Sequence, residues 1–427
     1  MSRSLRDLSS HLSSGQTLTG VAFNSMRVEP GYAFFALPGA ATHGIHYADE
    51  ALSQGALLVI SDRPHPQGVL VSDPAALLIK FGSSARNSWS APVIGITGSV
   101  GKTTTKDLLA AALSCPSSPG NRNTTLALAA EMINLAEAGK STEPLVLELG
   151  IDQIGEMAAL VELVRPSHGL VTSIAESHLD GLGDLATVAR EKAKLLEAAT
   201  HSYADVAAVD HLRPELRTRV TTYGLKGEGA DAEADLSAEP AGAPVLKVAG
   251  TTFRLPGVGR SVARNAAGAL ALATDLGVAP ELAASRMTHV APAAGRLQLH
   301  AIKGTTLIDD SYNSNPTSLA AAFEVLLASP RPQTAILGDM LELGDRADEL
   351  HLAFSPLAMQ VNRLVTVGER AGLIAPEHGE ALRLADAPEA VASLGQLRLE
   401  GTLLVKGSRG MRLDLVTEAL LRSGGRS

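Results

Sequence analysis

Short apolar runs alternate with amphipathic, helix-like segments along most of the chain. In the first part, strand-length runs are separated by segments with helical spacing. The strand-like runs are VAFNS, YAFFAL and LLVISD, and the helix-like ones are HYADEALSQG and PAALLIKFGSSARNSW. This pattern predicts a small α/β domain, which we place at residues 1–89.

A longer alternation follows, in which the strand-like runs are PVIGIT, PLVLELG and HGLVTSI. The segments between and after them, KTTTKDLLAAALS, GEMAALVELV and DLATVAREKAKLLEAAT, have helical spacing. Strands that alternate with helices typically form a parallel sheet covered by helices. Residues 217–256 are instead typical of short strands. Two helical segments then lead into APAAGR, whose small residues and proline suit a linker, so we predict a central domain over residues 90–292.

The last part alternates in the same way, through TTLIDDS, PTSLAAAFEVLLAS, QTAILGDM, RLVTVG, GTLLVKGS and LDLVTEALL. This pattern is typical of a doubly wound, Rossmann-like domain, placed at residues 293–427. The predicted fold class is therefore α/β with three domains. The length of 427 residues agrees, because one hydrophobic core rarely organises a chain of that size.

Composition and charge narrow the class of protein. The net charge of −9 argues against nucleic-acid binding through a general basic surface. A lone cysteine, Cys115, cannot form an internal disulfide, which is consistent with a reducing compartment. The segment MSRSLRDLSSHLSSG predicts a short amphipathic helix rather than a signal peptide, and no apolar run has membrane-spanning length. We expect a cytoplasmic protein with no membrane insertion.

The clearest chemical motif is GITGSVGKTTT, which lies between a predicted strand and a predicted helix. Backbone N–H groups of such a turn can bind phosphates at the helix N-terminus. The following lysine would reach the β- and γ-phosphates, and the next threonine would bind Mg²⁺. The motif predicts ATP or GTP binding by Gly98, Ser99, Gly101, Lys102, Thr103 and Thr104, with Lys102 also catalytic.

The glycine spacing points to one family. The common phosphate loop has a glycine five residues before Gly101, but Ile96 occupies that position, and the glycines are Gly95 and Gly98. The spacing TGSVGKTT resembles the ATP loop of the Mur ligase family, which also includes folylpolyglutamate synthases. The resemblance extends over nearly the whole chain.

The central segments imply a metal site by this resemblance. PLVLELG is similar to the family strand whose glutamate binds a second Mg²⁺, here Glu148. SIAESHLDGLGD resembles the segment whose histidine joins the metal shell, here His178, and VAREKAKLL places Lys192 where the family has a carbamylated lysine. The resemblance thus implies two Mg²⁺ ions held by Thr103, Glu148, His178 and Lys192, with Lys192 and His178 also catalytic.

The C-terminal segments DDSYNSNPTSL, ILGDMLELG and LVKGSRGM also resemble the family. They imply that Asn265, Arg296 and Asp310 approach the nucleotide when the domains close, and that Asn313 and Asn315 contact an incoming dipeptide. The implied substrates are UDP-N-acetylmuramoyl-tripeptide and D-alanyl-D-alanine, joined through an acyl phosphate during peptidoglycan precursor synthesis. The implied oligomeric state is a monomer.

Other segments depart from the family pattern. The N-terminal block resembles the UDP-binding domain, but the usual Asp-Ser-Arg is Asn24-Ser25-Met26, so the implied substrate contacts there are Asn24 and Ser25. The family's asparagine-rich turn corresponds here to Gly120-Asn121-Arg122-Asn123-Thr124. Asn121 and Asn123 are therefore the implied substrate contacts in this turn.

Three alternatives remain open from the sequence. One is another amide ligase of this family, adding an amino acid to a muramoyl dipeptide or glutamate to a folate. Another is a phosphate-loop NTPase that switches a partner interaction without ligation. The third is a non-catalytic relative that binds nucleotide sugars.

Overall fold

A computed structural model describes residues 5, 8–39, 41–237, 239, 241–302, 304–374, 379–397 and 400–424. Part of the predicted N-terminal amphipathic helix, residues 1–4 and 6–7, lies outside the described residues, and Ser9–His11 form a single 3-10 turn. The described chain forms three parts, each built around a parallel or mostly parallel sheet. The predicted three-domain α/β class is confirmed. Among the described helices, none combines the length and apolar character that crossing a bilayer requires.

The N-terminal part has a four-stranded parallel sheet in the order β1-β2-β3-β4. Its elements are β1 Gly20–Ala22, β2 Tyr32–Ala36, α1 Ala48–Ser53, β3 Leu58–Ser61, β4 Gly68–Leu70 and α2 Pro74–Asn87. Strand β1 is shorter than the predicted VAFNS. The reason is local: the Asn24 side chain accepts a hydrogen bond from Met26 N and starts a 3-10 turn at Ser25–Arg27.

The central part has a six-stranded parallel sheet in the order β10-β9-β8-β7-β5-β6 and a three-stranded antiparallel sheet, β11-β12-β13. The strands are β5 Val93–Thr97, β6 Leu145–Glu148, β7 His168–Val171, β8 His201–Asp205, β9 Thr221–Leu225, β10 Ala232–Ala234, β11 Leu236–Ser237, β12 Val245–Val248 and β13 Thr251–Arg254. The helices are α3 Lys102–Leu113, α4 Thr125–Glu137, α5 Glu156–Val164, α6 Leu179–Leu182, α7 Leu185–Ala198, α8 Pro214–Arg217, α9 Arg260–Asp275 and α10 Pro280–Met287.

The order of these strands determines where a ligand can bind. Strand β5 is buried at all five positions, and its neighbours β6 and β7 lie on opposite sides of it. The chain therefore leaves β5 toward one side of the sheet and later returns to the other side. Such a switch point opens a crevice at the carboxyl ends of the strands, which is where open α/β sheets bind ligands.

The C-terminal part has a six-stranded sheet in the order β14-β15-β19-β16-β17-β18, in which only β14 is antiparallel to its neighbour. The strands are β14 Gln298–Ile302, β15 Thr305–Asp310, β16 Gln333–Gly338, β17 Arg363–Val367, β18 Ala381–Leu384 and β19 Thr402–Lys406. The helices are α11 Pro316–Leu327, α12 Ala347–Leu352, α13 Ser355–Ala358, α14 Ala387–Ser393 and α15 Asp414–Gly424.

Helices α2 and α4 join the N-terminal and central parts. A Cβ at Gly82 of α2 would lie 2.6 Å from Ala129 Cα of α4, so only glycine permits this approach. Leu78 and Phe81 of α2 and Leu128 and Met132 of α4 belong to one buried apolar cluster that spans both parts. The N-terminal sheet is thus held against the central part by a shared core.

Candidate active site

The predicted phosphate loop follows β5 and ends where α3 begins. Gly98 has φ 152°, and a Cβ there would lie 2.0 Å from Thr172 Oγ1. Gly101 has φ 90°, in the left-handed region, and a Cβ there would lie 2.2 Å from Asn265 Oδ1. Both positions therefore require glycine, and Asn265 of α9 lies directly against the loop.

Lys102 is the first residue of α3, and its side chain folds back over the loop. Its Nζ donates a hydrogen bond to Gly98 O at 2.7 Å. Burial lowers the pKa of Lys102, nearby Glu148 opposes the shift, and Arg296 adds to it. An ammonium group held above a turn of backbone N–H groups is suited to bind a polyphosphate.

Thr103 and Glu148 meet at the carboxyl ends of β5 and β6. Thr103 Oγ1 donates to Glu148 Oε2 at 2.6 Å, and Asn123 Nδ2 donates to Glu148 Oε1 at 2.9 Å. Both Thr103 and Glu148 are buried. The hydroxyl oxygen of Thr103 and a carboxylate oxygen of Glu148 therefore lie side by side next to the phosphate loop.

The segment after β7 connects the loop to His178. Ser99 Oγ donates to Ala175 O at 2.7 Å, which fixes the start of this segment. His178 has φ 53°, and its Nδ1 lies 3.0 Å from Asp152 Oδ1 and 2.6 Å from Glu342 Oε2. Since Glu342 belongs to the C-terminal part, His178 bridges the two halves of the crevice.

Lys192 lies on α7 and is 1% exposed. Burial lowers its pKa to about 7, the positive charge of Lys102 adds to the shift, and Asp152 opposes it. Within the described residues, no carboxylate forms an ion pair with Lys192. A lysine with a pKa lowered in this way has far more uncharged amine at neutral pH than an ordinary lysine.

The C-terminal part contributes a buried ion pair at the ends of β15 and β19. Lys406 Nζ donates to Asp310 Oδ2 at 2.6 Å and to Asn313 O at 2.9 Å. Asp310 Oδ1 accepts from Leu297 N at 3.1 Å. Burial raises the pKa of Asp310, and Lys406 opposes the shift.

Arg296 and two asparagines also lie on the C-terminal side of the crevice. The Arg296 guanidinium lies 4.0 Å from the centre of the Tyr312 ring, a cation–π contact that holds it over the crevice. Asn313 Oδ1 accepts from Ser314 N at 2.9 Å. Asn315 caps α11, because its Oδ1 accepts from Ser318 N at 2.9 Å.

A cavity of about 730 Å³ lies between the central and C-terminal parts. Of the predicted site residues it is lined by Ser99, Gly101, Lys102, Thr104, Asn121, Asn123, Glu148, His178, Asn265, Arg296, Asp310, Asn313 and Asn315. Gly98 and Thr103 lie next to it through their contacts with Lys102 and Glu148. Lys192 is buried and does not line it. Asn24 and Ser25 are in the N-terminal part and are not brought to it.

Four residues at this site were not predicted from the sequence: Asp152, Tyr312, Glu342 and Lys406. Each lies in or beside one of the motif segments, such as LVKGS or LGDMLELG. The role of Lys406 could have been predicted, because a lysine at the end of a buried strand needs a negatively charged partner.

The fold and the loop together define a nucleotide-binding α/β protein with a cavity between two of its parts. Residues 17–78, 96–273 and 295–409 match, respectively, the Mur ligase family catalytic domain, the Mur ligase middle domain and the Mur ligase glutamate ligase domain. The UDP-N-acetylmuramoyl-tripeptide–D-alanyl-D-alanine ligases of Mycobacterium tuberculosis and Bacillus subtilis are each 30% identical to the chain. The alignments cover 97% of the chain and 94% of the first relative, and 95% and 93% for the second.

Two solved structures are similar over almost the full length. MurF from Acinetobacter baumannii has a TM-score of 0.81 at 26% identity, covering 98% of each chain. MurF ligase from Thermotoga maritima in complex with ADP has a TM-score of 0.78 at 25% identity, covering 95% of this chain and 97% of that one. The chain belongs to the Mur ligase family. It is an ATP-dependent ligase that forms carbon–nitrogen bonds, as the sequence predicts.

Proposed function

We propose that the protein joins D-alanyl-D-alanine to UDP-N-acetylmuramoyl-tripeptide in peptidoglycan precursor synthesis. The terminal carboxylate of the tripeptide takes the γ-phosphoryl group of ATP, and ADP leaves. The dipeptide amine attacks the resulting acyl phosphate, and inorganic phosphate leaves as the amide forms. The observation that carries the proposal is the cavity of about 730 Å³, which is lined both by residues of the phosphate loop and by the Asp310–Lys406 pair.

The phosphate loop supports the first step. Lys102 carries a positive charge over the loop, where negative charge accumulates on the transferred phosphoryl group. Gly98 and Gly101 let the backbone N–H groups approach the phosphates without a side chain between them. These groups are preorganised, because the loop is fixed by Ser99 and Thr172.

The donor set near Glu148 suits Mg²⁺. A threonine hydroxyl and a carboxylate are hard oxygen donors, which Mg²⁺ prefers, and here they already point to one place. Thr103, Glu148, His178 and a carbamylated Lys192 would hold two ions. When bound, these ions would neutralise charge on the phosphoryl oxygens. Asn123 orients Glu148 by occupying its other oxygen.

Carbamylation of Lys192 follows from its surroundings. The neutral amine adds CO₂ and releases a proton, which replaces a potential cation by a carbamate anion. A pKa of about 7 makes the reactive neutral form abundant at physiological pH. The change would remove the repulsion between Lys192 and Lys102 and would supply oxygen ligands for a metal ion.

The C-terminal part supports the second step. Arg296, Asp310, Asn265, Asn313 and Asn315 all line the cavity. In this proposal the first three contact the nucleotide, and Asn313 and Asn315 contact the incoming dipeptide. The oxygen of Asn315 is already used as a helix cap, so its contact with substrate would come through the amide nitrogen. Closure of the two parts would exclude water from the acyl phosphate.

Recognition of the uridine nucleotide falls to the N-terminal part in this proposal. Asn24 accepts a hydrogen bond from Met26 N, so it would contact the nucleotide through its amide nitrogen, with Ser25 beside it. We also propose domain boundaries near residues 90 and 293, a monomer, and a cytoplasmic location, where ATP and nucleotide-linked precursors are available.

The test is phosphate release by purified protein with ATP and Mg²⁺, adding UDP-N-acetylmuramoyl-tripeptide and D-alanyl-D-alanine separately and together. We expect release that requires both, with mass spectrometry detecting the pentapeptide nucleotide. A Lys102→Met variant serves as the control for contaminating ATPases. Hydrolysis independent of peptide substrates, or ligation only with a different acceptor or amino acid, would overturn the assignment.

A further inference from the structure

A second cluster of ligand-type side chains lies at the opposite end of the central sheet. His168 and His201 are the first residues of β7 and β8 and are paired in the register of these strands. Their rings stack 4.7 Å apart, inclined by 14°. Asp275, the last residue of α9, completes the group, and one ligand atom from each residue lies within 4.8 Å of the others.

We propose that His168, His201 and Asp275 form a binding site for a divalent transition-metal ion of the Zn²⁺ type, separate from the ATP site. Zn²⁺ readily takes imidazole and carboxylate ligands together, whereas Mg²⁺ is held mainly by oxygen ligands. A carboxylate with two neutral imidazoles carries a net charge of about −1, which a divalent cation complements.

His168 is arranged to act as a ligand. It is buried, and its Nδ1 lies 2.9 Å from Ser167 Oγ. Ser167 Oγ can donate to Val93 O at 3.2 Å, and this arrangement accommodates the tautomer in which the Nδ1–H of His168 donates to Ser167 Oγ. This tautomer leaves the Nε2 lone pair available, and an outer hydrogen bond of this kind orients histidines bound to metals.

The surroundings of His168 favour its neutral form. Burial lowers the pKa of His168, and the neighbouring His201 lowers it further, while Asp275 opposes the shift. Asp275 accepts a hydrogen bond from the Tyr203 hydroxyl through Oδ2, which leaves Oδ1 for a cation. Within the described part of the chain, no lysine or arginine forms an ion pair with Asp275.

The geometry requires an adjustment. Bonds of about 2.0–2.2 Å to a common ion would place the ligand atoms roughly 3–3.5 Å apart, and an imidazole binds a metal ion in the plane of its ring. The exposed His201 ring must therefore rotate out of its near-parallel stack with the buried His168, and the exposed Asp275 side chain can turn toward the same point. A bound ion would tie β7 and β8 to the end of the same helix that places Asn265 against the phosphate loop.

The test uses the full chain in a His178→Ala background with excess MgCl₂, so that Zn²⁺ cannot report on the ATP site. ZnCl₂ is titrated by calorimetry into this parent and into versions that also carry His201→Ala, Asp275→Asn or, as a matched exposed-histidine control, His211→Ala. We expect one ion per chain in the parent and in the His211→Ala control, with a rise in thermal midpoint.

His201→Ala and Asp275→Asn should each weaken Zn²⁺ binding by more than the roughly 10–100-fold that losing an outer hydrogen-bond partner costs. Both residues are exposed, so the metal-free thermal midpoints should match the parent and exclude misfolding. Equal Zn²⁺ affinity in the parent and the His201→Ala version, or no Zn²⁺ binding by the parent, would overturn the proposal.

Discussion

The Thr103 hydroxyl donates a hydrogen bond to Glu148 Oε2 at 2.6 Å, although the two residues are 45 positions apart in sequence. Thr105, two residues further along α3, is also buried, but its Oγ1 has no partner among the described residues. Thr103→Val should lower kcat by roughly 100-fold or more, the order seen when a group that stabilises transition-state charge is removed. Thr105→Val should leave phosphate release almost unchanged. Similar losses from both variants would show that the hydroxyl of Thr103 has no special role.

Lys106 is buried, and its Nζ donates to Ser118 O at 2.7 Å and to Gly120 O at 3.0 Å. It therefore anchors the turn that carries Asn121 and Asn123. Lys106→Met should destabilise the fold by about 1–3 kcal/mol, the cost of leaving buried polar groups unpaired.

The same variant should lower kcat more than it weakens ADP binding, because Glu148 loses its orientation while the phosphate loop persists. The measurements are urea unfolding, calorimetry with ADP and steady-state kinetics. Lys140→Met, which removes a half-exposed lysine paired with Glu143, is the control. A kcat that is unchanged in the folded Lys106→Met variant would contradict this positioning role.

Lys192 should take up ¹³C-labelled CO₂. Its pKa is about 7, lowered from the usual value by burial, so the ammonium form dominates at pH 6 and the reactive amine at pH 8. After removal of CO₂, activity should return on adding bicarbonate, and faster at pH 8 than at pH 6. The carbamate signal should be absent from Lys192→Met and present in Lys194→Met. Full activity of Lys192→Met would rule out a functional carbamate.

The Asp310–Lys406 pair allows a double-mutant test. Removing one partner of a buried ion pair costs about 3–5 kcal/mol, because the other charge is left unpaired. Asp310→Asn and Lys406→Met should each destabilise the protein, and the double variant should recover much of the loss without recovering ligase activity. Thermal unfolding and phosphate release measure the two effects. Additive losses in the double variant would contradict the coupling.

Local pattern was enough to predict much of the fold and the phosphate loop. The loop from Gly98 to Thr103 could be predicted because a strand, a turn and a helix follow one another directly in the sequence. Glu148 and His178 were assigned through the resemblance to the Mur ligase family. The structure places Glu148 at the end of β6 and His178 in the segment after β7, and the carboxyl ends of these parallel strands lie together.

Contacts that depend on the order of strands in a sheet could not be predicted from local sequence pattern. Lys406 meets Asp310 only because β19 inserts beside β15, a pairing over 96 positions that hydrophobic pattern does not encode. Helix α4 was not predicted, since its run TLALAAEMINLAE is apolar on several faces. It packs on α2, α5 and β1, so it has little of the polar stripe that marks a helix.

The contact between His178 and Glu342 has a consequence for inhibition. Leu179 N also donates to Glu342 O at 2.7 Å, and Gly344 N donates to Asp180 Oδ1 at 2.8 Å, so the two segments form a seam beside the nucleotide. A small molecule wedged into this seam would hold the halves apart while leaving the phosphate loop open. Its potency would not decline as ATP concentration rises, unlike that of an adenine mimic, which must compete with millimolar cellular nucleotide.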